Sequence, residues 1–402
     1  MHIEPKIRGY ICTTAHPAGC IQNVQEQIQY VSNQPSIPSG PKKVLIIGAS
    51  TGYGLASRIV AAFGAKAQTI GVFLERAADE KRTASAGWYH TAAFEHAAHQ
   101  AGIYAKSING DAFSDAIKQA TITLIKKDWG GEVDLVIYSL ASPRRTHPQT
   151  GISFKSSLKP IGEPYRNQTM DIISGHLSDV CIEPATPKEV ADTVAVMGGE
   201  DWMMWIEALL AEKLLAKGVQ TMAYSYIGPK LTHQIYLKGT IGMAKKDLVA
   251  TSKILEHRLR PIDGQAVIAV SKAVITQASA AIPVVPLYMS LLYKIMKEKQ
   301  LHEGCIEQMY RLYADRLYRT DRKVLVDGQG LIRIDDWEMR EDVQEAVSAL
   351  WSKIDAGNLI TVTDWVGCRH EFYKLFGFEV EGIDYSLPQM VAVPIPSLNV
   401  PI

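Results

Sequence analysis

The chain has 402 residues, of which 47% are hydrophobic and 21% charged, a composition typical of a globular protein with a large core. Its 42 basic and 42 acidic residues cancel, so no overall field favours nucleic acid or an anionic membrane surface as a partner. The five cysteines are odd in number and widely spaced, which argues against a disulfide framework and favours a reducing compartment. We therefore expect a cytoplasmic protein that binds no nucleic acid.

The chain also carries no strong metal or membrane signal. Cys12, His16 and Cys20 are spaced as C-x3-H-x3-C, which matches no standard zinc pattern and lacks a second ligand pair, so we expect no metal. The N-terminus has no apolar signal region, and the most apolar stretch, Ala278 to Tyr293, is shorter than the ~20 residues that span a bilayer. We expect no membrane association, and we expect a monomer.

From residue 43 onward, short apolar runs alternate with segments of helical periodicity. The predicted strands cover residues 43–47, 69–74, 104–107, 133–139, 219–224 and 266–270. The predicted helices cover residues 55–63, 92–101, 112–127, 201–217 and 245–259. This alternation predicts an α/β fold, an enlarged Rossmann-type doubly wound parallel sheet with ligands at the carboxyl ends of its strands.

Three segments fall outside this alternation. Residues 1–42 form an N-terminal extension, and residues 143–200, rich in Pro, Thr and Ser, read as an insertion after the fourth strand. Residues 283–402 are mainly helical, with a charged, hairpin-like region near Lys323 to Asp336. Because no linker separates these parts, we predict one enlarged domain over residues 1–402, with its core at about 43–282 and helical additions on the substrate side.

A glycine-rich turn follows the first predicted strand. Residues 48–54 read GASTGYG, and an apolar-periodic helix begins directly after them. In such a turn the glycines allow a tight bend, a close backbone approach to a pyrophosphate and close packing of helix on strand. The helix N-terminus then offers free N–H groups to the phosphates. The turn predicts a dinucleotide site, and the simpler alternative is a tight structural turn.

Polar residues at two further strand ends fit the same cleft. Glu75 ends the second strand, where a carboxylate accepts hydrogen bonds from ribose hydroxyls and repels a 2′-phosphate, which favours NADH over NADPH. The adjacent Arg76 softens that preference. Asp111 follows the third strand, where it can accept a hydrogen bond from an adenine amino group or serve only as a helix cap.

A tyrosine and a lysine follow the fifth predicted strand. Tyr236 precedes Lys245 by nine positions, and both lie shortly after residues 224–229, which read YSYIGP. A phenol can donate a hydrogen bond to a carbonyl oxygen that gains charge, while an ammonium lowers the phenol pKa and can hold a ribose. The pair therefore suits a reduction next to a carbonyl group.

These motifs together resemble one family. The chain is similar to the FabV-type enoyl-acyl-carrier-protein reductases and to the related trans-2-enoyl-CoA reductases. The interval of nine between Tyr236 and Lys245 is the family's most distinctive feature, since ordinary short-chain dehydrogenases use a much shorter one. The matching segments are GASTGYG at 48–54, GWYHTAAF at 87–94, KSINGDAFSD at 106–115, YSLASP at 138–143, YSYIGPKLTHQIYLKGTIGMAKKDL at 224–248, VITQASAAIPVVPLYMSLLYKIMKEK at 274–299 and HEFYKLFGF at 370–378.

The resemblance implies NADH-dependent reduction of the C2–C3 double bond of trans-2-enoyl thioesters, the final reductive step of fatty-acid elongation. It implies that Tyr236 is the proton donor, that Tyr226 contacts the substrate, and that Lys245 positions the cofactor. It does not settle whether acyl carrier protein or coenzyme A carries the acyl group. The implied cofactor contacts are Gly48, Ala49, Ser50, Thr51, Gly52, Tyr53, Leu74, Glu75, Asp111, Ala112, Leu140, Ala141, Lys245, Val274, Ile275 and Thr276.

Two other functions remain open on the sequence alone. One is a carbonyl-reducing short-chain dehydrogenase, against which the long Tyr–Lys interval argues. The other is a non-catalytic NAD(H)-binding sensor, against which the intact Tyr236 and Lys245 argue. No flavin-specific motif is found, so we expect no flavin. The segment Ala278 to Met296 is expected to flank the acyl chain, the alternative being a buried core helix.

Overall fold

The computed structural model of the chain describes residues 1–9, 11–319 and 324–398. Within them the strands are β1 (Ile7–Arg8), β2 (Ile11–Cys12), β3 (Lys43–Ile47), β4 (Gln68–Phe73), β5 (Ala105–Asn109), β6 (Val133–Tyr138), β7 (Arg144–Thr146), β8 (Ser153–Lys155), β9 (Tyr165–Met170), β10 (Leu177–Ile182), β11 (Leu215–Ser225), β12 (Gln265–Val270) and β13 (Leu331–Arg333). The α-helices are α1 (Pro17–Ser32), α2 (Gly52–Ile59), α3 (Ala86–Gln100), α4 (Asp115–Trp129), α5 (Pro187–Met197), α6 (Glu200–Ala211), α7 (Thr240–Leu259), α8 (Val285–Glu298), α9 (Cys305–Leu312), α10 (Glu341–Trp351), α11 (Leu359–Val362) and α12 (Trp365–Lys374).

Seven of these strands form one parallel sheet in the order β13-β12-β11-β6-β3-β4-β5. From β3 the chain moves outward through β4 to β5, then returns to β6 on the other side of β3. The chain therefore leaves the carboxyl ends of β3 and β6 toward opposite sides of the sheet. Sheets of this kind bind ligands at that point. The predicted doubly wound parallel sheet is confirmed, and all six predicted strands belong to it.

Alternating residues of β3 explain why helices cover both faces of the sheet. Val44 and Ile46 pack with α2 and α9, whereas Leu45 and Ile47 pack with α4, α6 and α7. All four side chains are fully buried. A strand buried on both faces reads as a continuous apolar run, which is why residues 43–47 are recognisable in the sequence.

Two details of the sequence interpretation are wrong. The region near Lys323 to Asp336 is no hairpin where it is described: β13 pairs in parallel with β12, and Lys323 lies outside the described residues. Its charges pair with each other, as between Arg333 and Asp335 at 2.6 Å, instead of marking a turn. The helix predicted for residues 201–217 ends at Ala211, because a positive φ of 56° at Lys213 breaks it.

The insertion at residues 143–200 supports the helix that carries Lys245. It consists of two antiparallel hairpins, β7–β8 and β9–β10, followed by α5. Helix α5 packs on α7, and the backbone N–H of Thr240, at the start of α7, donates to the Lys159 carbonyl at 2.9 Å. The insertion thus fixes the start of α7 relative to the sheet.

The two ends of the chain pack into the same core. Residues of the N-terminal extension such as Ile3 and Cys20 share a buried cluster with Leu291 of α8 and Phe372 of α12. Near the C-terminus, the Val393 carbonyl accepts a hydrogen bond from Trp88 of α3 at 2.7 Å. This packing supports the predicted single domain, whose internal boundaries stay a prediction.

Among the described residues, no helix is both long and apolar enough to cross a membrane. The same part of the chain holds no cluster of His, Cys, Asp and Glu side chains arranged to bind a metal. His16 instead caps α1, where its Nδ1 accepts the Gly19 N–H at 3.2 Å.

Candidate active site

The glycine turn lies at the carboxyl ends of β3 and β6, where the chain leaves these strands toward opposite sides of the sheet. Gly48 has a φ of +92°, and a β-carbon there would collide with the Ser139 carbonyl at the end of β6. A β-carbon at Gly54 would collide in turn with the Gly48 carbonyl, so only glycine allows the helix to pack on the strand. Ala49, between these glycines, is fully buried. Helix α2 then begins with free N–H groups, the arrangement that binds phosphates.

The opposite wall of this cleft is the loop after β12. At Gly52, where φ is +55°, an added β-carbon would meet only the Thr276 Cγ2 atom, at 3.8 Å. The loop is held from behind, because Ser279 Oγ donates to the Val274 carbonyl at 2.7 Å and Tyr293 Oη accepts the Ile275 N–H at 2.9 Å. The glycine turn and residues 274–276, both predicted to contact the cofactor, therefore face each other.

Glu75 is anchored beside the glycine turn. Its carboxylate accepts a hydrogen bond from Ser50 Oγ at 2.7 Å, and its backbone N–H donates to Asn109 Oδ1 at 2.8 Å. Gly87 leaves the room for this approach, since a β-carbon there would collide with the Glu75 carboxylate. Burial raises the pKa of the Glu75 carboxyl. A ribose-binding carboxylate at this position would lie next to the phosphate-binding turn.

The other predicted cofactor contacts lie at the rim of the cleft. Leu74 is 70% exposed at the end of β4. Asp111 is also exposed after β5, with one carboxylate oxygen accepting a backbone N–H two residues on, while Ala112 is buried. Leu140 and Ala141 follow β6 next to the glycine turn. These residues follow the carboxyl ends of β4, β5 and β6, at the same edge of the sheet as the glycine turn.

Lys245 is held close to the glycine turn. Its ammonium donates to the Tyr224 carbonyl at 3.0 Å, at the end of β11. The Tyr224 ring lies 5.6 Å from the Tyr53 ring, and its hydroxyl is hydrogen-bonded to Ser57, both on α2. Burial lowers the pKa of Lys245 to about 8. With only one of its three N–H donors used within the described residues, this ammonium can hold a further acceptor.

Tyr236 lies edge-on to Tyr226, with ring centroids 4.8 Å apart. The side chain is half-buried, and its hydroxyl makes no hydrogen bond to any residue that the structure describes. Burial, and then the negative charge of Glu338, raises the pKa of Tyr236 well above its ordinary value. The phenol therefore keeps its proton at neutral pH and can donate it. His233, in contrast, is hydrogen-bonded locally to the Gly228 carbonyl at 3.0 Å.

The sequence interpretation missed the group that connects these parts. Glu338 is fully buried and accepts hydrogen bonds from the hydroxyls of Tyr226 and Tyr288 and from the backbone N–H of Ala273, at 2.9, 2.7 and 2.7 Å. Lys272, also buried, donates to the Ala273 carbonyl at 2.9 Å. No local pattern marks either residue, because their partners come from distant parts of the chain.

His90 is a second residue that the sequence did not single out. It lines a cavity of ≈ 280 Å³ beside the glycine turn, together with Thr51, Thr276 and Lys374. Burial lowers the pKa of His90 to about 4, so the ring is neutral at physiological pH. A neutral ring adds no charge to the site.

Comparison with known proteins shows the family to which the chain belongs. A family model described as the trans-2-enoyl-CoA reductase catalytic region matches residues 82–318, and one described as the NAD(P)H binding domain of trans-2-enoyl-CoA reductase matches residues 2–80. The chain belongs to the trans-2-enoyl-CoA reductase family. A third model, described as an enoyl reductase FAD binding domain, matches residues 326–388.

Relatives within this family extend over the whole chain. An enoyl-[acyl-carrier-protein] reductase [NADH] of Coxiella burnetii is 62% identical over 401 residues, covering 100% of this chain and 98% of the relative. A trans-2-enoyl-CoA reductase [NADH] of Ruminiclostridium cellulolyticum is 56% identical, covering 99% and 100%. The crystal structure of Treponema denticola trans-2-enoyl-CoA reductase with NAD aligns at a TM-score of 0.94 and 50% identity, covering 97% and 98%. The family inferred from the sequence motifs is thereby confirmed.

The flavin named in the third model does not fit the residues present. In its described part, residues 326–388 contain a single three-residue strand, β13, with no glycine-rich turn and helix directly after it. Apolar residues of the segment, such as Val343, Val347 and Phe372, are packed into the core. The segment therefore has no dinucleotide-binding site of its own.

The cleft between Gly52 and Thr276 can be probed by adding one methyl group. In Gly52→Ala the new methyl group would point into the cleft toward Thr276, so we expect at least ~10-fold weaker NADH binding, since the lost contacts exceed ~1.4 kcal/mol. Gly102→Ala is the matched control, because Gly102 also has a positive φ, +68°, but opens to solvent. Both should lose about 1 kcal/mol of stability. Titration calorimetry that finds equal NADH affinities for the two variants would contradict this placement of the cofactor.

Proposed function

We propose that the protein reduces the C2–C3 double bond of trans-2-enoyl thioesters with NADH. The observation that carries the proposal is the anchoring of Lys245 to Tyr224, whose ring and hydroxyl contact the helix of the glycine turn. This contact joins Lys245 to the dinucleotide site, and Tyr236 packs against Tyr226, which follows Tyr224 by two residues. Relatives of 62% and 56% identity that are named as NADH-dependent enoyl reductases support the same reaction.

Different residues of the cleft would bind different parts of the cofactor. The backbone of Gly48 to Gly52 would hold the pyrophosphate, Glu75 the adenosine ribose and Lys245 the nicotinamide ribose. When bound, NADH supplies the hydride that is added to C3 of the enoyl thioester. The Glu75 carboxylate, fixed by Ser50, disfavours the additional phosphate of NADPH.

Tyr236 acts on the thioester carbonyl. As C3 is reduced, negative charge gathers on the thioester oxygen, and a phenol that keeps its proton can stabilise this charge by a hydrogen bond. The raised pKa of Tyr236 suits that role, since the proton stays on the phenol until charge develops nearby. The Lys245 ammonium, held at the end of β11, adds positive charge to the site. Tyr226 lies against the Tyr236 ring and borders the space for the acyl thioester.

The proposal also covers the acyl carrier, the cellular compartment and the oligomeric state. The acyl group is carried by acyl carrier protein or coenzyme A, both of which occur in the names of close relatives. The protein acts in the cytoplasm, which its five unpaired cysteines suit. It acts as a monomer, so light scattering in solution should give the chain mass of 44.3 kDa.

A substrate comparison tests the reaction directly. Steady-state rates should be measured with NADH and with NADPH on crotonyl-CoA, longer 2-enoyl thioesters on both carriers, and a 3-oxoacyl thioester. We expect turnover of the enoyl thioesters and a higher kcat/KM with NADH. Preferential reduction of the 3-oxoacyl thioester would identify a carbonyl reductase instead. NADH binding without oxidation by any enoyl thioester would identify a sensor.

The role of Tyr236 is tested by removing its hydroxyl. Tyr236→Phe should lower kcat ~100- to 1,000-fold, the usual cost of losing one preorganised donor, while the dissociation constant for NADH stays near that of the wild type. The matched control is Tyr104→Phe, which removes a hydroxyl that donates to Asp128. Tyr104 directly precedes β5 and so lies at the opposite edge of the sheet. Near-normal turnover of Tyr236→Phe would exclude this residue as the donor.

The lowered pKa of Lys245 predicts the pH dependence of kcat/KM. The ammonium is present below about pH 8 and is lost as the pH rises through this value, so kcat/KM should fall on the alkaline side from about pH 8. Lys245→Arg keeps its charge at higher pH, so the alkaline fall should move upward in that variant. Lys253→Met, which changes an exposed lysine of the same helix, is the control. An alkaline fall at the same pH in Lys245→Arg would assign it to another group.

A further inference from the structure

One buried carboxylate joins three segments that surround the proposed reaction site. Oε1 of Glu338 accepts hydrogen bonds from two hydroxyls, that of Tyr226 in the loop after β11 and that of Tyr288 in α8. Its Oε2 accepts the N–H of Ala273, which directly precedes the cofactor loop at residues 274–276. Glu338 itself lies in the part of the chain that follows β13, outside the dinucleotide core.

The two oxygens of Glu338 accept hydrogen bonds from all three of these neighbours. Burial raises the pKa of the Glu338 carboxyl, and the three donors and the buried Lys272 oppose that rise. A phenol has a single proton to donate. The hydroxyl proton of Tyr226 is therefore directed to Glu338, and its oxygen offers only lone pairs to any further partner.

Tyr236 differs from Tyr226 in this respect. Its hydroxyl has no partner within the described residues, whereas its ring is held by the edge-on contact with Tyr226 at 4.8 Å. Its proton is thus available to a substrate. Two adjacent tyrosines of the same chemical type are distinguished by one carboxylate that binds only the first.

We propose that Glu338 is a positioning residue of the reductase, which commits the Tyr226 proton and leaves Tyr236 as the only phenolic donor to the thioester oxygen. Through Ala273, the same carboxylate fixes the cofactor loop relative to Tyr226. This inference rests on the proposed enoyl reductase function. It deepens that function by giving the two tyrosines different roles, with Tyr226 a hydrogen-bond acceptor and packing surface toward the substrate.

A double-mutant cycle with Tyr226 provides a readout that a purely structural role would not change. If Glu338 acts by holding the Tyr226 proton, its replacement matters most while Tyr226 still has a hydroxyl to redirect. The Ala273 N–H is a second partner of the carboxylate, so part of the loss persists without that hydroxyl. Losses that do not multiply in the cycle therefore report the hydrogen bond between Glu338 and Tyr226.

The experiment compares Glu338→Gln, Tyr226→Phe and the double variant with the wild type, using NADH and crotonyl-CoA. Glu338→Gln should lower kcat by roughly 10- to 100-fold, as expected when buried hydrogen bonds are lost. Tyr226→Phe should lower kcat by less than ~10-fold, because its proton is not given to the substrate. The double variant should be no slower than Glu338→Gln alone, because both changes act on one hydrogen bond.

Glu303→Gln is the matched control, since it changes another buried carboxylate, which pairs with Arg311 at 2.7 Å and touches neither tyrosine. It should lose stability, and any loss of kcat that it causes should multiply with that of Tyr226→Phe. The proposal is overturned by multiplicative losses in the Glu338→Gln, Tyr226→Phe double variant, or by a Tyr226→Phe loss as large as that of Tyr236→Phe. The Tyr226→Phe result decides the question even where Glu338→Gln does not fold. Failure of the wild type to reduce any enoyl thioester would instead refute the proposed function.

Discussion

The close approach of Gly48 to the Ser139 carbonyl is the constraint on which the site depends. Because no side chain fits between them, the ends of β3 and β6 stay in contact and α2 packs directly on the sheet. The chain leaves these two strands toward opposite sides of the sheet, which creates the cleft, and the packing aims the free N–H groups of α2 into it. The other site groups stand at the same carboxyl edge because every strand of the sheet runs in the same direction.

Burial then prepares the two proposed catalytic groups in opposite ways. Removal from water disfavours the charged form of any group, so it raises the pKa of the Tyr236 phenol and lowers that of the Lys245 ammonium. The first effect keeps a proton on the donor at neutral pH. The second places the ammonium near its titration point, where a negatively charged cofactor would restore its charge. Burial of these two groups thus supplies both a donor and a cation.

Features that depend on local sequence were predictable. The strand at residues 43–47 is a continuous apolar run because it is buried on both faces, and the glycine turn follows it directly. The interval between Tyr236 and Lys245 was readable for the same reason. Glu338 was not, because its significance comes from Tyr226, Tyr288 and Ala273, which are brought to it only by the fold. Strand β13 was missed because three residues are too few to show a periodicity.

If this cleft reduces a carbon–carbon double bond, the hydrogen taken from NADH must reach one defined carbon of the substrate. Crotonyl-CoA should be reduced with NADH that carries deuterium at its reactive C4 position, and the product examined by NMR and mass spectrometry. We expect butyryl-CoA with the deuterium at C3 and a hydrogen from solvent at C2. Deuterium at C2, or a product in which the double bond is intact, would show that the cleft carries out a different reaction.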